Sequence, residues 1–140
     1  MTFRTQINRL RRMLGRIRVL VADDLPEIRT LVRTNLEFDG RFDIVGEASN
    51  GLEAVDLVHS HKPDVVILDL AMPEMDGLAA IAKIRQNSPA TKILVLSAFA
   101  DDHNSGLVRE LGANAFIAKD RPMDEVIEKL IEIAGVPTPE

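Results

Sequence analysis

The chain has 140 residues, enough for one compact domain with a sizeable core and too few for two ordinary ones. Hydrophobic residues make up 46% and charged residues 28%; no apolar stretch has membrane-spanning length, and the first residues lack the apolar centre of a signal peptide. Zero cysteines exclude a disulfide framework, a thiol nucleophile and a thiolate metal site, and the lack of Trp and Tyr removes a stacking platform for single-stranded nucleic acid.

The net charge of −5 hides an asymmetry. Residues 1–18 hold six arginines (Arg4, Arg9, Arg11, Arg12, Arg16, Arg18) and no acid, so the remainder carries eleven basic and twenty-two acidic residues. An acidic body does not bind nucleic acid by itself. The arm at residues 1–15 has its own pattern: Phe3, Ile7, Leu10, Leu14 and Ile17 follow heptad-like spacing, and Gly15 would end such a helix. About twelve residues are too few for a stable isolated helix. The arm therefore packs on a second copy, on the domain itself or on an anionic surface, or stays disordered. Met13 as the natural start is the alternative.

Past the arm, strand and helix patterns alternate. Short apolar runs at 17–22, 42–47 (the weakest), 64–69, 92–97 and 114–118 read as buried strands. Between them the spacing predicts amphipathic helices. Residues 25–38 turn Ile28, Leu31, Val32 and Leu36 inward; 51–60 do so with Leu52, Val55 and Val58; 78–86 with Leu78, Ile81, Ala82 and Ile84. Residues 101–111 form a poorer helix, because Asp101 to Gly106 are weak helix formers; this marks either a frayed start or a labile switching element. Residues 122–134 form a good one, with Val126, Ile127, Leu130 and Ile131 inward and Pro122 in its first turn. Five strand–helix units imply an α/β fold, a doubly wound parallel five-stranded sheet with ligands at the carboxyl ends of its strands.

The chemistry-bearing residues fall at those ends. Asp23 and Asp24 follow the first strand, Asp69 closes the run Val65-Val66-Ile67-Leu68, and Ser97 and Lys119 end the fourth and fifth. Three carboxylates directed at one spot suit a hard divalent cation, which relieves their repulsion and neutralises an incoming phosphate. Asp69 is then a carboxylate nucleophile toward a phosphoryl group. Lys119 supplies a compact positive charge, Ser97 a hydroxyl, and the small Ala98 leaves room. As ordinary structure, Asp23-Asp24 would cap the following helix, Lys119 would be a solvated charge and Phe116 simple core. Glu74 and Asp76 read as solvent-facing loop acids, and Gly77 as a residue of permissive backbone. His59, His61 and His103 show no ligand spacing.

Four stretches carry a resemblance: Val21-Ala22-Asp23-Asp24, Leu68-Asp69-Leu70-Ala71-Met72-Pro73-Glu74-Met75-Asp76-Gly77, Leu94-Val95-Leu96-Ser97-Ala98, and Gly112-Ala113-Asn114-Ala115-Phe116-Ile117-Ala118-Lys119. In this order and on these element ends, they make residues 16–134 resemble a response-regulator receiver domain of two-component signalling, close to the receivers of LuxR-type regulators. Residues 135–140 form a tail. The resemblance implies a flavodoxin-like (βα)5 fold with strand order 2-1-3-4-5. It implies phosphoryl transfer to Asp69 from a histidine kinase. It implies Mg²⁺, or Mn²⁺ in its place, held by Asp24, Asp69 and the Ala71 backbone carbonyl, with Asp23 acting through water. Ser97 and Phe116 match positions that reorient on phosphorylation, and the switching face would be the fourth helix, fifth strand and fifth helix. A cytoplasmic phosphoprotein without external turnover follows, acting on a downstream protein or output domain, with homodimerisation as one readout.

Some positions depart from the commonest pattern. Ser97 stands where Thr is frequent, Phe116 where Tyr is, and Asp120 where Pro follows the lysine, so a cis-proline is not expected. Ala71 and Phe99 occupy positions expected to tune phosphate lifetime; both are apolar and hold no attacking water, which predicts slow self-dephosphorylation. Three other readings are weaker or narrower. The chain may belong to a longer LuxR-type transcription factor, its Pro-containing tail beginning a linker. A haloacid-dehalogenase-like phosphatase needs an acid where Ala71 stands. A phosphate-independent adaptor would not need Asp24, Asp69, Ser97 and Lys119 intact. No Gly-x-x-x-x-Gly-Lys loop is present.

Overall fold

The computed structural model describes residues 16–98 and 102–135, together with Thr2, Phe3 and Gln6; the side chains of residues 102–104 are outside that description. Five strands alternate with five helices: β1 (Ile17–Ala22), α1 (Pro26–Asp39), β2 (Phe42–Ala48), α2 (Gly51–His61), β3 (Val65–Leu68), α3 (Gly77–Asn87), β4 (Lys92–Ser97), α4 (Asp102–Leu111), β5 (Ala115–Ala118) and α5 (Met123–Ala134). All strand pairs are parallel, in the order β2-β1-β3-β4-β5.

The period-2 geometry of a strand divides the core in two. Ile17, Val19 and Val21 of β1, with Val65 and Ile67 of β3, face α1 and α5, where Val32, Leu36, Val126 and Leu130 meet them. Leu20, Ala22, Val66 and Leu68 face the other way, against Ala54, Val55 and Val58 of α2, Ile81 and Ile84 of α3, and Val108 of α4. Each such fully buried aliphatic side chain contributes roughly 1.5–3 kcal/mol. Both faces of β1 and β3 are covered, which is why these strands read as continuous apolar runs.

Several expectations need correction. Leu31 and Leu52 are 49% and 47% exposed and Ala82 is exposed, so the inward stripes are narrower than the apolar pattern. Each sits one step of about 100° from a buried neighbour, at the solvent edge of its helix. Pro122 is the N-cap of α5, not a residue of its first turn. The first-turn proline is Pro26 of α1. The weak β2 pattern has a cause: its register with β1 slips between Val19 and Leu20, pairing Val19 with Ile44 but Leu20 with Gly46. That irregularity breaks the alternation expected of a regular strand. The expected absence of a cis peptide after Lys119 holds, since the described residues contain none.

Candidate functional site

The strand order reverses between β1 and β3, so their carboxyl ends open a crevice at the switch point. Backbone hydrogen bonds carry the chain into it. Asp23 N–H donates to Ala48 O (3.0 Å), and Asp69 N–H to Ala22 O (2.9 Å). The ladder therefore persists one residue beyond each assigned strand end and fixes where the carboxylates start. Asp23, Asp24 and Asp69 each place a carboxylate oxygen within 4.8 Å of the others; Asp23 and Asp69 are buried, Asp24 exposed.

Lys119 closes the cluster from β5. Its Nζ lies 2.7 Å from Asp23 Oδ2 and 3.4 Å from Asp69 Oδ2. Its position comes from the neighbouring strand, because Lys119 N–H donates to Ser97 O (2.9 Å). Burial and the nearby Asp23 charge push the Asp69 carboxyl above its ordinary range, and Lys119 only partly offsets them. Burial by itself would lower Lys119, but hydrogen bonding and charge from Asp23 and Asp69 raise it. Both partners of the Lys119–Asp69 contact thus shift upward, which one isolated ion pair would not do. The reason is geometric: the lysine sits closer to Asp23, leaving Asp69 the less compensated carboxylate.

Asp23 is the most engaged of the three. Its Oδ1 accepts from Leu25 N–H (2.9 Å), and Arg29 Nη1 donates to its backbone oxygen (2.6 Å). Arg29 and Arg33 both reach Glu47 on β2, tying α1 to the sheet. Helix capping does not account for the acidic pair, since the N-cap of α1 is Leu25 and no side chain caps it. Ser97 is fully buried at the end of β4, and Ala98 beyond it is exposed. Ala71 is exposed, with its N–H 3.4 Å from Asp69 Oδ1. Phe116 packs half-buried against the α2–α3–α4 side of the core. His59 and His61 are exposed; Phe99 and Asp101 lie outside the described residues.

Three supporting residues were not singled out for this role in sequence. Asp76 is no idle loop acid: its side chain caps α3 by accepting from Ala79 N–H (2.9 Å). Gly77 is needed for closeness, not for a positive φ; a Cβ there would lie 2.4 Å from Leu70 Cα and 2.6 Å from Asp69 O. Gly51, from α2, lets Met75 O approach to 1.8 Å of where its Cβ would stand. The positive φ in this loop belongs to Glu74 (70°). Asp76-Gly77 was visible as a helix-start pattern; the Gly51 contact joins segments distant in sequence and had no local signal.

The family model of the response regulator receiver domain matches residues 19–131. This chain belongs to that family. It is 40% identical to the chemotaxis protein CheY of Listeria monocytogenes over 118 residues, 84% of this chain and 98% of the relative. It is 34% identical to the probable transcriptional regulatory protein NarL of Mycobacterium tuberculosis over 119 residues, which is 85% of this chain but 55% of the relative. Among solved structures, the signal receiver domain of that putative NarL superposes with a TM-score of 0.83 at 33% identity, covering 88% of this chain and 99% of that one. The response regulator domain of Thermotoga maritima CheB does so at 0.81 and 28%, covering 87% and 98%. The receiver fold and strand order expected from the sequence are those observed. Receiver domains are signalling domains that bind Mg²⁺ at an acidic site and interact with histidine kinases and output domains. No helix among the described residues is long and apolar enough to cross a membrane.

Proposed function

We propose that this receiver accepts a phosphoryl group on Asp69 from the phosphohistidine of a histidine kinase and then presents an altered α4–β5–α5 face to a partner. The observation that carries the reading is the pairing of one lysine with two buried carboxylates beside a third, exposed one. An Asp69 oxygen forms the new bond to phosphorus as the bond from phosphorus to the histidine nitrogen breaks, its electron pair returning to the imidazole. Asp69 ends as an acyl phosphate. Lys119 neutralises phosphoryl oxygens, the Ser97 hydroxyl donates to one, and Ala98 leaves the space open.

The residues fit Mg²⁺, or Mn²⁺: the donors are hard carboxylate oxygens, and one lysine leaves their charge uncompensated. Asp24, Asp69 and the Ala71 carbonyl would hold it, with Asp23, already bound to Lys119 and Leu25, acting through water. When bound, the cation supplies charge neutralisation for the incoming phosphate. Phe116 and Ser97 would couple the site to the switching face. The apolar Ala71 predicts a phosphorylated form that decays slowly, and it disfavours turnover of external phosphate esters.

A second reading concerns what surrounds the receiver. The chain spans nearly the whole of the CheY relative but about half of the transcriptional regulators it matches, including YhcZ of Bacillus subtilis and NarL. The receiver part of a longer LuxR-type transcription factor is therefore the alternative to a stand-alone regulator; either reading carries a cytoplasmic location.

The test is intact mass after incubation with Mg²⁺ and acetyl phosphate, beside Asp69→Asn. A single phosphoryl gain in wild type, absent in the variant and abolished by chelation, is the expected result. No gain from acetyl phosphate or from a panel of histidine kinases, with the fold intact, would leave a phosphate-independent adaptor.

A further inference from the structure

The outer face of α1 carries an apolar stripe that nothing in the described structure covers. Leu31 and Phe38, seven residues apart and so on one line of the helix, are 49% and 93% exposed. Thr34, between them on that line, is also exposed. A phenylalanine left almost wholly in water is costly, since burying such a side chain is worth roughly 1.5–3 kcal/mol.

We infer that the N-terminal arm, residues 3–14, docks in cis along this face as an amphipathic helix, its Phe3-Ile7-Leu10-Leu14 stripe covering Leu31 and Phe38. Four observations converge on that occupant. The first is pattern: the four arm residues fall within one narrow helical line while Arg4, Arg9, Arg11 and Arg12 stand off it. Gln6 N–H donates to Thr2 O (3.1 Å), a helical hydrogen bond, and Phe3 is itself 77% exposed and in want of a partner.

The second is position. The arm joins β1 beside the end of α1, because Ile17 N–H donates to Arg41 O (2.8 Å), three residues after Phe38. Arg16 is anchored there by Asp43 (3.0 Å), so only Leu14 and Gly15 separate the arm from a fixed point near the stripe. The third is reach: at 1.5 Å per residue, Phe3 to Leu14 spans about 16 Å, enough to run past the roughly 10 Å from Leu31 to Phe38. The fourth is charge. The arm is purely basic, and the exposed acids of the α1–α5 layer include Glu27, Glu37, Asp124 and Glu128.

Size argues for cis over a second copy. Two side chains are far too little for a dimer interface, which needs on the order of 1,200 Å². A short tether raises the effective concentration to the millimolar range, so a small patch can hold its own arm.

Amide hydrogen exchange on the full 140-residue chain tests this, with solution mass measured at the same concentration. Arm amides in the wild type should exchange about tenfold or more slowly than a free peptide, at monomer mass. Leu31→Glu and Phe38→Glu, both at exposed positions, should release that protection and leave β1 and β3 unchanged. A wild-type arm that exchanges freely would overturn the inference. So would protection that survives both substitutions, since the arm would then lie elsewhere, and so would protection found only at dimer mass, which would mean exchange of arms between copies.

Discussion

The two ends of the sheet treat charge in opposite ways. At the amino-terminal end the polar groups are matched. Asp64 accepts from Arg18 N–H (2.9 Å), Asn114 Oδ1 accepts from Ile93 N–H (2.9 Å) and Arg85 Nη2 (3.3 Å), and Thr91 Oγ1 donates to Pro63 O (3.0 Å). At the carboxyl-terminal end three carboxylates share one lysine. One end is closed by its own hydrogen bonds and stabilises the fold. The other keeps an unbalanced negative charge, which disfavours the empty fold and is what a cation or a covalent modification can relieve. Stability and function are thus segregated along the strand direction.

The sharpest way to break this contrast is to disturb the packing beneath the charged end. Gly51→Ala sets a Cβ within 1.8 Å of Met75 O, a backbone atom that cannot step aside. We expect a loss of about 3 kcal/mol in denaturant unfolding and slower phosphorylation, because the loop after Asp69 moves. A neutral effect would show that this loop is not held by α2.

Next is Lys119→Met, which leaves Asp23 and Asp69 buried without their cation. Destabilisation of roughly 2–3 kcal/mol is expected at neutral pH, shrinking in acid as the carboxylates protonate. At the opposite end, Asn114→Ala deprives the buried Ile93 N–H of its acceptor. That should cost about 1–2 kcal/mol while leaving the rate of phosphorylation from acetyl phosphate unchanged. A change in that rate would mean the two ends are coupled.

Smallest, and opposite in sign, is Asp69→Asn. The raised Asp69 pKa means the folded chain holds its proton more tightly than the unfolded one. Stability is therefore favoured below the ordinary carboxylate range and declines as pH rises through the folded value. Removing the charge should stabilise the protein by on the order of 1 kcal/mol at pH 7. The gap from wild type should open as pH climbs above about 4. Mg²⁺ should narrow it by stabilising wild type more than the variant. Lys119, also raised, works at the other extreme: its contribution is complete below its ordinary range and fades as pH rises through the folded value. A less stable Asp69→Asn protein would contradict the unbalanced-charge account.

The sequence by itself determined the elements and the strand ends that carry the chemistry. Val65–Leu68 is apolar throughout because both its faces are covered, and Asp69 follows it because a charge cannot enter that layer. Asp23, Asp24, Ser97 and Lys119 were legible for the same reason. Local pattern could not say which apolar helix residues face inward, and Leu31, Leu52 and Ala82 were misjudged because exposure depends on where the neighbouring helix lies. Only the tertiary structure decided that Gly51 must yield to Met75, that Lys119 lies nearer Asp23 than Asp69, and that Phe38 is left uncovered beside the root of the arm. Each of these joins segments far apart in the chain. Periodicity records what one element buries, whereas distances between elements are set by how all of them pack together.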